Sequence, residues 1–221
     1  MKNFIYKHNK DLIALAFLAL NNISYFGTHL FDIERIVVEC PLDSKIPLIE
    51  GFILPYVIWY VSVPAYVCFA LYLCHKDKKY NEDYYRYIIF VLGGVFVTLV
   101  CFWAIPTTIN FRPKTVEGNT IFTWMLNIIY SADKPINVFP SGHCYAAMSC
   151  AIGMMKHKFF KGKKYRLCFD AFHVILAVLI CLSTVFIKQH SILDFFASLI
   201  LIFIMYPIAY KVDYKFLKKV S

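Results

Sequence analysis

Ser191–Tyr210 reads SILDFFASLILIFIMYPIAY, twenty residues with one charged side chain, Asp194. That length and polarity match the roughly 20 residues an α-helix needs to cross a bilayer. Asp194 follows His190 by four positions, one helical turn, so the two share a face. An ionisable pair at the mouth of an apolar segment is costly in lipid and points to function. The stretch predicts a membrane solvent, with chemistry at the start of a helix.

The rest of the chain repeats the apolar pattern. Of its 221 residues 60% are hydrophobic and 17% charged, against about 25% charged in ordinary soluble domains. Apolar segments run over Leu12–Gly27, Gly51–Cys74, Tyr87–Pro106, Ser141–Met155, Cys168–Ile187 and Ser191–Tyr210, the first and fourth being short. No stretch alternates as barrel strands do, so helices must satisfy the backbone in lipid. The expected fold is all-α: a polytopic six-transmembrane-helix bundle, with residues 1–221 as one membrane domain. Leu12–Gly27 is expected to be a retained helix, because Asn21-Asn22-Ile23-Ser24-Tyr25 lacks the small residues of a signal-peptide cleavage site. Tyr56, Trp59, Tyr60, Trp103, Tyr206 and Tyr210 suit interfacial belts or the core. Residues 28–50 are expected to form a solvated loop. The apolar stretch Ile121–Tyr130 is too short to span and is expected along the interface, anchored by Trp124 and Tyr130.

A net charge of +9 does not imply nucleic acid, since the basic residues fall in short blocks between apolar runs. With the N-terminus inside, the outer segments hold only Arg35, Lys45, Arg112, Lys114, Lys134 and Lys188 of the 23 lysines and arginines. The positive-inside rule then predicts cytoplasmic termini. His143, His190 and Asp194 fall on the outer face, and the plasma membrane is the expected location. The eight cysteines form no CxxC pair and no metal-ligand spacing, so packing is their expected role.

Two further motifs accompany His190. Pro140-Ser141-Gly142-His143 suits a helix N-terminus, where Ser141 can cap and Gly142 lets a phosphate oxygen approach backbone N–H groups. Arg112-Pro113 lies upstream, in a polar stretch after the third apolar segment. A neutral histidine attacking phosphorus needs its second ring nitrogen held, which a carboxylate one turn later can do.

Arg112-Pro113, Pro140–His143 and His190 with Asp194 together resemble the type-2 phosphatidic acid phosphatase and vanadium haloperoxidase superfamily. The resemblance places the catalytic region at about 106–194. It implies a nucleophilic His190 oriented by Asp194, and His143 as general acid and then base. Arg112, Ser141 and Gly142 would hold phosphate, with neither metal nor cofactor. The implied substrate is a lipid phosphate or prenyl diphosphate in the bilayer. Two positions depart from the family pattern: Ile105 replaces the usual lysine, and Thr184 replaces the arginine after Ser183. Lys188 and Lys134 are candidates to supply the missing charge. The departures resemble the sphingomyelin and inositol-phosphorylceramide synthase branches, where an alcohol replaces water as acceptor. A phosphatase is the expected function, with a phospho-headgroup transferase as the alternative. A non-catalytic membrane protein is a further alternative, opposed by the five motif residues on one predicted side.

Overall fold

The computed structural model describes residues 33–214 without interruption, together with part of the 12–31 stretch. The first expected span, Leu12–Gly27, lies largely outside the described residues. Among the described residues the chain is nearly all-α. Helices α1 (Pro41–Lys45), α2 (Ile53–Lys76), α3 (Asn81–Ala104), α4 (Ile121–Ala132), α5 (Gly142–Lys156), α6 (Arg166–Phe186) and α7 (Ile192–Tyr210) follow one another. The exception is a two-residue parallel ladder, in which β1 (Ile36–Val37) pairs with β2 (Thr107–Thr108).

By length and composition, four helices among the described residues can cross a membrane: α2, α3, α6 and α7. The shortest, α7, has 19 residues and is about 28 Å long, close to the hydrocarbon thickness. Val61, Phe96, Phe172 and Phe203 stand exposed on these four helices, as lipid-facing side chains should. Helix α3 starts six residues before the expected Tyr87. Glu82 and Asp83 occupy its first turn, where acidic groups favour the N-terminal dipole. Arg86 bonds Glu82 at 2.9 Å and the Ala209 carbonyl at 2.8 Å, tying the start of α3 to the end of α7.

Of the six expected spans, the first lies largely outside the described residues, four are long enough, and α5, the fourth, falls short. Its 15 residues make about 22 Å, short of a bilayer core. It packs against α2, α3, α6 and α7, burying Ala146, Ala147, Cys150 and Ala151. Small residues allow that central place; lipid exposure would require larger apolar ones. Two glycines admit aromatic rings at the α3–α5 contact. A Cβ at Gly94 would lie 1.9 Å from the Tyr145 ring, and one at Gly153 would lie 2.5 Å from the Tyr87 ring.

Helix α4 has the expected amphipathic form. Thr123, Leu126 and Tyr130 are buried on one face, while Ile121 and Trp124 are exposed. Tyr130 is not an interfacial anchor: its hydroxyl donates to the Ile187 carbonyl at 2.7 Å. The 28–50 stretch is also more ordered than a solvated loop. It contributes β1 and α1, and Asp43 is only 2% exposed.

Candidate active site

The N-termini of α5 and α7 meet at one end of the bundle and bring the two histidine motifs together. Ser141 caps α5, its hydroxyl accepting from Cys144 N at 3.2 Å. Pro140 precedes the cap, two places before the first helical residue, Gly142. Ser191 caps α7 and accepts from Leu193 N at 3.1 Å, while Asp194 Oδ2 accepts from Ser191 N at 2.9 Å. This reciprocal capping box fixes Asp194 in the first turn.

His190 Nδ1 lies 3.2 Å from Asp194 Oδ2 and 3.0 Å from the Val138 carbonyl. Both groups accept, so the proton belongs on Nδ1 and Nε2 presents its lone pair. Nε2 faces His143 Nδ1 at 3.4 Å. Burial, the largest single influence, disfavours a charged His190, but the Asp194 hydrogen bond and the charges of Asp194, Cys144 and Asp133 together outweigh it and raise its pKa above the ordinary histidine value.

His143 stands at the head of α5 beneath aromatic rings. Tyr56 stacks on it with centroids 4.8 Å apart, and Trp59 lies at 4.2 Å. Tyr56 is fully buried, so it lines the site and does not belong to an interfacial belt. Its hydroxyl donates to Asp133 Oδ2 at 3.3 Å, and Tyr25 donates to Asp133 Oδ1 at 2.5 Å.

Arg112 approaches His190 through its neighbour. Its Nη1 donates to Gln189 Oε1 at 2.6 Å and its Nη2 to the Asp133 carbonyl at 2.8 Å, with the guanidinium 4.7 Å above the Tyr130 ring. Two of its five N–H donors are thereby used. A Cβ at Gly142 would meet only Thr98 Oγ1, at 3.7 Å. Packing therefore does not require glycine there.

A family model described as the PAP2 superfamily matches residues 111–218, the segment carrying all of these groups except Thr98 and the Tyr25, Tyr56 and Trp59 rings. This match supports a place in the PAP2 superfamily. A PA-phosphatase related-family protein from Dictyostelium discoideum is 25% identical over 163 residues, which are 65% of this chain and 28% of that one. The chain therefore spans less than a third of that relative's length. No solved structure matches.

The remaining expected residues are placed differently. Lys134 is exposed in the loop after Asp133. Lys188 donates through Nζ to the Asp43 carbonyl at 2.6 Å and to the Ile46 carbonyl. Thr184, where the resemblance led us to expect an arginine, is buried and donates to the Cys181 carbonyl at 2.8 Å. Ile105 ends α3 and is 47% exposed. Gln189, Asp133, Tyr56, Trp59 and Asp43 are site residues that sequence reasoning missed. Only Gln189 carries a local signal, its adjacency to His190. Its Nε2 is buried without a hydrogen-bond partner among the described residues.

Proposed function

We propose that the protein is an integral-membrane phosphatase that hydrolyses a lipid phosphate or prenyl diphosphate through a phosphohistidine at His190, without a metal ion. One observation carries this reading: Asp194 and Val138 hold His190 Nδ1, leaving Nε2 turned toward His143 at the start of α5. In the first step Nε2 bonds to phosphorus, the ester P–O bond breaks, and His143 gives a proton to the leaving oxygen. Water then attacks the phosphohistidine, His143 takes its proton, the N–P bond breaks and phosphate leaves. At 3.4 Å the two rings leave no room for phosphorus, so they part as substrate enters.

Charge on the transferring group is met by Arg112 and by the N–H groups at the start of α5. Lys134 is the readier candidate for an added cation, since Lys188 must release two carbonyls to serve. The site lies at the ends of helices with lipid-facing side chains, which supports an amphiphilic substrate. In the proposed topology residues 12–27 and α5 complete six segments, both termini are cytoplasmic, and the site opens on the outer face of the plasma membrane.

The test is phosphate release from phosphatidate, phosphatidylglycerol phosphate and a prenyl diphosphate by purified protein with chelator present. Release from at least one, abolished by His190→Ala, is expected; no release from any overturns the reading. The second reading, headgroup transfer to an alcohol, is favoured by Ile105 and Thr184 standing where the usual cations would be. It predicts a transferred headgroup, in place of free phosphate, once a lipid alcohol is supplied.

A further inference from the structure

We propose that Asp43 is a positioning residue for His190: its buried carboxylate holds the turn that delivers the nucleophile, and Lys188 locks Asp43 in place. The proposal rests on His190 as nucleophile, and it adds a contribution from outside the PAP2-matched segment, which begins at residue 111.

Asp43 sits in α1, almost 150 residues before His190, yet its carboxylate is spent at the start of α7. Oδ1 accepts from Ile192 N at 2.9 Å. Oδ2 accepts from Ser191 Oγ at 2.7 Å and from Cys40 N at 2.8 Å. A helix start has unsatisfied N–H groups, and three here are met by three side chains: Asp194 takes Ser191 N, Asp43 takes Ile192 N and the Ser191 hydroxyl takes Leu193 N. Asp43 therefore caps α7 from another element and orients the serine that completes the capping box. The same Asp194 oxygen accepts from Ser191 N and faces His190 Nδ1, so movement of Ser191 disturbs the grip on the nucleophile.

Lys188 closes the arrangement from the other side. Its Nζ donates to the Asp43 and Ile46 carbonyls, at the end of α1. Its backbone is left-handed, with φ +55, a conformation uncommon for a residue with a long side chain. The turn into His190 is thus anchored through both side chain and backbone. On this account Lys188 organises the loop, and the phosphate grip is left to Arg112 and the α5 amides.

The test uses the full chain in lipid nanodiscs, with labelled lipid phosphate as probe. Asp43→Asn, Ser191→Ala and the double variant are compared for the single-turnover rate of phosphate transfer to His190 at saturating lipid, and for KM. Each single variant should slow transfer about 10- to 100-fold, the loss expected from an ångström-scale misplacement, with KM within about twofold. The double variant should be no slower than the slower single one, because both remove the same link. A loop that serves stability alone would leave the rate per folded site unchanged. Wild-type rates in Asp43→Asn, or losses that multiply in the double variant, overturn the proposal. Should Asp43→Asn fail to fold, Ser191→Ala decides alone, since it deletes one hydroxyl. A wild-type chain with no phosphate on His190 overturns the underlying function and this proposal with it. A phosphorylated wild type with a fast Asp43→Asn variant overturns only this one.

Discussion

His190 keeps its proton on Nδ1 because the Asp194 carboxylate and the Val138 carbonyl both face that nitrogen as acceptors. Attack needs the neutral ring, so activity should fall as pH drops through the His190 pKa. That pKa is raised above the ordinary value, so the acid limb of kcat/KM lies higher than a free histidine would place it. Asp194→Asn removes the charge that raises it. The acid limb should move to lower pH, and kcat should fall about 10²- to 10⁴-fold. An unmoved limb would show that His190 does not govern it. Gly142→Ala gives a second residue-level check. The added methyl would touch only Thr98 within the protein, so thermal stability should hold while activity drops, because the methyl enters the phosphate space. Equal loss of stability and activity would contradict that division.

At the scale of elements, α5 and α7 present their N-termini together because α5 is thin enough to sit inside the bundle. Gly94 admits the Tyr145 ring, whose hydroxyl reaches the Phe90 carbonyl at 2.5 Å. Gly94→Ala should cost about 1–3 kcal/mol through overpacking, seen as a lower unfolding midpoint in detergent; an unchanged midpoint would show that the two helices adjust freely. The four lipid-facing helices were legible in the sequence, because uninterrupted apolar runs are a local signal. The pairing of His190 with Asp194 was legible for the same reason, since four positions separate them, whereas the approach of His143 to His190 was implied only by the family resemblance. Asp43 and Tyr56 were not. Their roles arise from contacts made across some 90 to 150 positions, and an aspartate in a charged loop or a tyrosine in an apolar helix looks ordinary alone. Likewise α5 reads as a short span until its neighbours are seen to enclose it.

For the whole molecule, the proposed topology has the site end of the bundle outside the cell. The opposite end carries His157 at the close of α5 and the basic 156–166 stretch. Single cysteines at Lys114 and Lys134, in a background lacking native cysteines, should react with an impermeant thiol reagent in intact cells. Cysteines at His75 and Lys161 should react only after permeabilisation, and the reverse pattern would put the site inside. The central claim is covalent: phosphorus is carried on His190. Brief reaction with labelled lipid phosphate, acid-free denaturation and peptide mapping measure it directly. The account predicts an acid-labile, alkali-stable phosphate on the peptide containing His190, absent in His190→Ala and still detectable in His143→Ala. Turnover with no phosphate on that peptide, or near-native turnover by His190→Ala, would contradict it.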